Sequence, residues 1–357
     1  MEDIKKIYFF VSGSRNLGSS RVRAYMISDR LGGYGIESSV RRVTTRPWWN
    51  FSIDRFRDFY ENFKILLSVR KKKDVIFLQK TIAQLDFIFL ILFFRFFFGK
   101  GYFFDFDDAI FLNSRKIALK TSFLCKYAKG VVVGSRYLHD FAVKFNKNTI
   151  LIPTSVDVLK YSVKKNKNKK IVLGWVGTAK AHYENLRILK PVFEELMKRN
   201  FNFEFVLIGA AKNQDVYNLF NSIEGLNISY VDQLDWSNPK NVIELIQNFD
   251  IGLMPLEDSE WNKGKCAFKA VEYMACGIPV IISNVGENKF LVKSGIDGFI
   301  VNNTSQWVDT ILYLAKEEGK RIEIGLRGRG NIEKQYSYQE NIPKLISFLN
   351  KNSFKRT

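Results

Sequence analysis

Short apolar runs alternate with helix-like stretches along the whole chain, and the alternation breaks only once. In the first half the strand-like runs are Ile7–Val11, Asp74–Leu78, Gly101–Phe104, Gly130–Val133 and Thr149–Ile152. Helical patterns fall at Arg21–Leu31, Ile53–Val69 and Phe111–Tyr127. A polar, charged run, Lys164–Lys170, then reads as an exposed linker. The rhythm restarts with strand-like Ile171–Val176, Phe203–Ile208, Ile228–Val231, Ile251–Pro255 and Pro279–Ser283. Helical stretches lie at Tyr183–Arg199, Asn241–Phe249, Lys265–Ala275, Asn288–Lys293, Ser305–Glu318 and Ile322–Gln335. Strand-then-helix repetition builds open parallel sheets covered on both faces. The expectation is an α/β chain of two Rossmann-like, doubly wound parallel-sheet domains facing a cleft, residues 1–157 and 158–336. A final helix within 337–357, apolar at Ile342, Leu345, Ile346 and Leu349, reaches back onto the first domain. The length of 357 residues suits two cores rather than one.

The formal charge of +19 is unevenly spread: residues 1–157 hold 27 Lys+Arg against 14 Asp+Glu, the remainder 28 against 22. So basic a first half points to an anionic ligand or surface. The three cysteines form no CxxC pair, which suggests a reducing compartment, and only two histidines, His139 and His182, are present. A histidine-based zinc site or a catalytic triad is poorly served by that supply. Met1–Lys6 leads straight into a strand-like run, so no signal peptide is expected. The longest apolar stretch, Phe87–Phe98, is broken by Arg95 and too short to span a bilayer. It reads either as a buried helix or as a segment dipping into one leaflet.

Three motifs bear on chemistry. Gly13 and Gly18 have the spacing of a phosphate-binding loop, but Ser19 stands where that loop needs lysine. What remains is a strand–turn–helix corner, Gly18 and Ser19 beside Arg21 and Arg23, able to position an anionic or polyhydroxyl ligand, or simply a tight turn. Asp105, Asp107 and Asp108 follow a strand at its carboxyl end, where open α/β sheets bind ligands. They suit a hard metal, sugar hydroxyls or general-base work, or helix capping. By strand alternation Asp105 and Asp107 point one way and Asp108 the other. Asp250–Ser283 is the most informative stretch: strand, polar loop, helix, glycine stop at Gly277, strand. Lys265, Lys269 and Glu272 fall at i, i+4 and i+7 of the expected helix, one stripe. Two cations near the helix start and a carboxylate beyond suit a nucleotide diphosphate, with Glu272 accepting from ribose hydroxyls. The plain alternative is a solvated Lys–Glu face, against which stand the apolar neighbours Cys266, Phe268, Val271 and Met274.

The segment Lys269–Ser283, KAVEYMACGIPVIIS, resembles the donor-site signature of family-4 retaining glycosyltransferases of the GT-B fold. Trp261–Lys269 is similar to a bacterial cell-surface polysaccharide subgroup. Gly18–Arg23, Phe104–Phe111, Ile152–Asp157, Gly174–Thr178, Asp250–Leu256 and Gly295–Val301 extend the resemblance in family order. It implies a donor-binding set of Gly177, Thr178, Lys265, Lys269, Glu272, Gly286 and Glu287. Glu272 would be the second carboxylate of the family's E-x7-E motif; the first position is Gly264, with Lys265 beside it. The acceptor set would be Gly18, Ser19, Arg21, Arg23, Asp105 and Asp108, and the catalytic groups Asp107 and Lys265.

The activity so implied is transfer of a sugar, with retention, from a nucleotide diphosphate sugar to a hydroxyl of a lipid-linked oligosaccharide acceptor in cell-surface polysaccharide assembly. It needs no cofactor and no metal if the lysines and the helix end supply the positive field. Arg41, Arg42, Arg55, Arg57 and Arg70–Lys73 suggest docking on an anionic membrane surface, hence a cytoplasmic protein peripheral to the inner face of the plasma membrane, or else serve solubility alone. Nucleic acid is not an expected partner, because the basic residues are dispersed and no reading module is present. A GT-B epimerase, a non-catalytic sugar-nucleotide binder, which Gly264 favours, and a nucleic-acid binder, from net charge alone, remain the competing classes.

Overall fold

A computed structural model describes residues 3–43, 53–80, 85–163 and 168–353, and the chain divides into two compact units. Unit 1 runs to Thr154 and takes in the stretch from Asn341 onward; unit 2 is Ser155–Glu340. The boundary falls a few residues from the expected 157/158 and 336/337. Val156 is the reason: it forms a parallel bridge with Ser337, exchanging backbone bonds with Tyr336 and Tyr338, which ties it to unit 2. Residues 164–167 of the expected linker lie outside the described residues.

Unit 1 holds six parallel strands: β1 (Lys6–Val11), β2 (Glu37–Arg42), β3 (Asp74–Gln79), β4 (Tyr102–Phe106), β5 (Gly130–Val133) and β6 (Thr149–Leu151). Their order is β2-β1-β3-β4-β5-β6. Every residue of β3, β4 and β5 is buried, as strands covered on both faces must be, and these are the runs most visible in the sequence. The edge strand β2, ESSVRR, is polar and half exposed, and carries no apolar run to betray it. Phe87–Phe98 belongs to a helix, Leu85–Phe98, that buries Phe87, Ile91 and Phe94 while Phe89 and Phe97 stay 71% and 77% exposed. Phe87 meets Phe10 of β1 at 5.0 Å between ring centroids, so the buried-helix reading describes one side of it. Among the described residues no helix is long and apolar enough to cross a membrane. From the C-terminal helix Tyr338–Ser353, Phe348 packs edge-on against Phe103, and Asn350 Oδ1 accepts from Ile4 N at 3.1 Å.

Unit 2 repeats the plan with β7 (Ile171–Val176), β8 (Phe203–Ile208), β9 (Ile228–Val231), β10 (Ile251–Met254), β11 (Val280–Ser283) and β12 (Phe299–Val301), ordered β12-β11-β10-β7-β8-β9. Strand alternation sorts its core onto two faces. Val172, Val176, Met254, Val280 and Ile282 pack with the helices Pro239–Ile246 and Phe268–Ala275 on one face. Leu173, Trp175, Ile251, Leu253 and Ile281 pack with Leu189–Lys198, Gln214–Asn221 and Thr304–Lys316 on the other. Cys125, Cys266 and Cys276 are buried and form no disulfide.

Candidate functional site

In each unit the strand order reverses once, between β1 and β3 in unit 1 and between β7 and β10 in unit 2. A doubly wound sheet opens a crevice at the carboxyl ends of such a pair, because the following helices go to opposite faces.

In unit 2, β7 runs into Gly177 and Thr178 and then a short 3₁₀ turn, Ala179–His182. β10 leads through a loop to a four-residue helix, Glu260–Lys263, and then to the helix Phe268–Ala275. This second helix begins three residues later than the sequence pattern suggests. Gly264 closes the short helix and Ala267, in the left-handed conformation at φ 53, starts the next. Lys265 therefore does not share a helical stripe with Lys269 and Glu272, a correction to that expectation; its Nζ lies 5.4 Å from the Trp261 ring centroid. Tyr273 anchors the helix on the sheet, its hydroxyl accepting from Val176 N at 2.9 Å.

Lys269 reaches to the end of β7. Its Nζ sits 5.4 Å from the Trp175 ring centroid and 3.0 Å from His182 Nε2. The neighbouring amide decides what that contact means. Asn185 Oδ1 accepts from Glu257 N at 2.9 Å and Asn262 Nδ2 at 2.8 Å, so its own Nδ2, 3.1 Å from His182 Nδ1, donates. With Nδ1 an acceptor, the neutral ring carries its proton on Nε2. Two donors, the Nε2–H and the Lys269 ammonium, then face each other at 3.0 Å, an arrangement that an anionic oxygen would relieve by accepting from both. Sequence reasoning missed His182, Asn185 and Trp175. Only their position at the end of β7 or just after it, at the switch point, marks them.

The other expected donor-site residues surround this corner in different ways. Glu272 is half-buried and accepts from Tyr161 Oη at 3.2 Å; burial, with Glu272 nearby, raises the Tyr161 pKa and keeps it a donor. A Cβ on Gly177 would lie 2.6 Å from Lys269 Cε, so this glycine leaves room for the lysine stem. Gly286, at φ +54, would place a Cβ 2.6 Å from the Lys263 carbonyl oxygen. Glu287, expected in the donor set, is only 3% exposed, after β11. Gly209, absent from the expected set, has φ +90, and a Cβ there would meet the Gly177 carbonyl oxygen at 2.1 Å. Gly209→Ala combines left-handed strain with a clash against backbone. It is expected to cost at least about 2 kcal/mol in thermal unfolding and to weaken nucleotide binding, checked by calorimetry and ligand titration.

Unit 1 gathers its polar residues at the ends of β1, β3 and β4. A helix starts at Gly18, and Arg21–Tyr25 forms a π-helical turn, a distortion frequent at functional sites. Ser20 Oγ donates to Gln79 Oε1 at 3.0 Å. Arg23 and Asp105 are buried against each other, Arg23 Nε lying 3.1 and 3.2 Å from the two carboxylate oxygens, and Arg23 Nη1 donates to Ile152 O at 2.6 Å. The expectation that both contact an acceptor is corrected: their charges are committed to each other beneath the surface. Arg21 is 7% exposed, with Nη1 lacking a hydrogen-bond partner, while Gly18 is exposed and Ser19 half-buried.

Lys80 organises what remains. It takes a left-handed conformation at φ 65 directly after β3, and its backbone N donates to Asp105 O at 2.5 Å. Its ammonium ion-pairs with Asp108 and lies 3.8 Å from Asp107 Oδ1 and 3.4 Å from Ser19 Oγ. Asp107 and Asp108 thus lie together at one cation rather than on opposite faces, because strand alternation ends at Phe106. With Asp105 held by Arg23 and Lys80 against the other two, the three carboxylates do not converge. No group of three or more His, Cys, Asp or Glu among the described residues is placed to hold a metal ion. Burial pushes the Asp107 carboxyl up to about 6, against the opposing pull of Lys80. Of the basic residues expected to face a membrane, Arg41 engages Asn62 at 2.6 Å and Arg70 engages Asp74 at 2.8 Å, whereas Lys71, Lys72 and Lys73 are exposed. The Arg55 side chain lies outside the described residues.

Two doubly wound parallel-sheet units in tandem, each with polar groups at its switch point, define the GT-B class of fold. Residues 170–317 match the family described as glycosyl transferases group 1. Spore coat protein SA of Bacillus subtilis (strain 168) is 27% identical over 195 residues, covering 52% of this chain and 49% of that protein. The chain therefore spans about half the length of the curated relative it matches. Among solved structures, sucrose-phosphate synthase from Thermosynechococcus elongatus superposes with a TM-score of 0.75 at 14% identity, over 97% of this chain and 98% of that one. Anabaena HepE in complex with UDP and glucose gives a TM-score of 0.71 at 14% identity, over 97% of this chain and all (100%) of that one.

Proposed function

We propose that the protein is a retaining glycosyltransferase of the family-4 type that moves a sugar from a nucleotide diphosphate sugar to a hydroxyl of a lipid-linked glycan in cell-surface polysaccharide assembly. One observation carries this reading: inside the segment matching group 1 glycosyltransferases, Lys269 and His182 hold two donors 3.0 Å apart beside the switch point of unit 2. Diphosphate is the leaving group of such a transfer, and its charge grows as the bond to the anomeric carbon breaks. Donors fixed in advance at that point stabilise the transition state more than the bound donor. The electron pair of the anomeric C–O bond goes to the departing phosphate. The acceptor oxygen bonds to the anomeric carbon on the same face, and its proton passes to a phosphate oxygen. Lysine and the helix end supply positive charge, and the neutral imidazole a hydrogen-bond donor, without a metal. Glu272 holds the ribose. Unit 1 binds the acceptor, with Asp107 orienting its hydroxyl and Lys80 positioning Asp107 and Asp108. HepE, solved with UDP and glucose, supports a nucleotide sugar as donor. A basic first unit supports work at the inner face of the plasma membrane.

The test is a panel of nucleotide sugars scored for release of free nucleoside diphosphate; one or a few donors are expected to turn over, and none doing so contradicts the proposal. A pH profile tests the role of Asp107. Its carboxyl is raised to about 6, so the ionised, accepting form is populated only above that pH, and transfer is expected to rise through about 6. Asp107→Asn is expected to abolish that acid limb. The same limb persisting in the variant contradicts the role.

A further inference from the structure

Away from the polar cluster, unit 1 has an apolar groove of about 370 Å³ between the helices Leu85–Phe98 and Arg115–Tyr127. Ile88, Phe89, Leu92, Ile117 and Phe123 line it, and Lys116 and Lys120 are its polar residues. Its place in the fold gives it meaning. The two helices follow β3 and β4, so both begin at the carboxyl edge of the sheet, where Lys80, Asp107 and Asp108 lie. Ile88, Phe89 and Leu92 fall in the first two turns of one helix; Lys116, Ile117 and Lys120 fall in the first two turns of the other. The groove thus lies toward the edge that bears the polar cluster. It is continuous along the helix Leu85–Phe98 with Phe93, Phe96 and Phe97, which are exposed by 42%, 58% and 77%. An apolar trough with two lysines matches an amphiphile that has one hydrocarbon chain and an anionic head.

We propose that this groove seats the proximal hydrocarbon of a lipid-phosphate-linked acceptor, with Lys116 and Lys120 on its phosphate and its sugar directed toward Asp107 and Asp108. The assignment rests on the reading of unit 1 as the acceptor side. Burial lowers the pKa of the Lys120 ammonium, and a phosphate beside it would raise it again.

The experiment is calorimetric titration of the full chain, below micelle concentrations, with dodecyl phosphate, octyl phosphate and dodecyl glucoside. Each buried methylene is expected to tighten binding by about fourfold, so dodecyl phosphate should exceed octyl phosphate by well over tenfold. It should also exceed the neutral glucoside. Ile117→Trp fills the groove and is expected to cut dodecyl phosphate affinity at least tenfold with thermal stability unchanged. Lys116→Ala with Lys120→Ala is expected to erase the preference for phosphate but keep the preference for chain length, a split that misfolding would not produce. Equal binding of phosphate and glucoside, or a filled variant that binds as before, overturns the proposal. Displacement of the probe by a polyprenyl phosphate at lower concentration than by phosphatidylglycerol vesicles supports the acceptor as occupant; the reverse order assigns the groove to bulk lipid and overturns it. Nucleotide-sugar turnover in the same preparations separates the two readings. A silent groove with active turnover defeats only this proposal, and a working groove with no turnover removes the acceptor role.

Discussion

Lys269→Ala is expected to lower kcat/KM for sugar transfer by about 10²- to 10³-fold, with most of the loss in kcat. The ammonium lies 3.0 Å from His182 Nε2, and the hydrogen bond from Asn185 makes that ring nitrogen a donor as well. Removing one of the two facing donors would leave the growing charge on the diphosphate half supported at the moment it is largest. His182→Gln, which keeps an amide able to donate, is expected to lose less. Lys269→Arg should recover part of the rate, since the charge returns on a wider head. Helix Phe268–Ala275 is held by Ala270, Val271, Tyr273 and Met274, not by Lys269, so the unfolding temperature of Lys269→Ala should stay close to that of the wild type. A lysine variant that turns over at the native rate would remove this residue from the mechanism.

The largest effect on stability is expected at Arg23, in unit 1. Arg23→Met leaves the Asp105 carboxylate buried without its guanidinium, a cost of about 3–5 kcal/mol at neutral pH by urea unfolding. The pH dependence has a definite sign. Desolvation already raises the Asp105 pKa in the fold, against the pull of Arg23, so ionised Asp105 works against folding. Removing Arg23 raises it further. A carboxyl with a raised folded pKa gives its best stability below its unfolded pKa and loses it as pH rises through the folded value. The gap between variant and wild type should therefore narrow toward acid and widen toward alkali. Arg23→Met combined with Asp105→Leu should recover most of the loss, because an apolar pair of similar volume needs no countercharge. A loss under about 1 kcal/mol, or a gap that widens in acid, would contradict the buried-pair account.

How much of this was legible in the sequence follows from what each residue responds to. The central strands of both sheets could be read because burial on both faces demands unbroken apolar runs, as in DVIFLQ and YFFDF. The polar edge strand β2 faces no such demand and left no signature. Lys269 was legible as a cation near a helix start. Its partnership with His182 was not, since the two lie 87 positions apart and meet only through the sheet. The stripe that joined Lys265 to Lys269 assumed a continuous helix, and the left-handed Ala267 broke it. Arg23 and Asp105 illustrate the converse case. Their residue types suggest ligand binding, but a pairing across 82 positions buries them. Lys80 was hidden for a similar reason: only the reversal of strand order between β1 and β3 shows that a residue after β3 faces a crevice.

Titrating the protein with a panel of nucleoside diphosphates and the matching nucleosides tests the convergence of Lys269 and His182 on a phosphate most directly. One diphosphate is expected to bind at least about tenfold tighter than its nucleoside, an advantage of about 1.4 kcal/mol or more, and Lys269→Ala is expected to remove that advantage while nucleoside binding persists. Equal affinity for nucleoside and diphosphate, or a diphosphate preference unchanged in the variant, would contradict it.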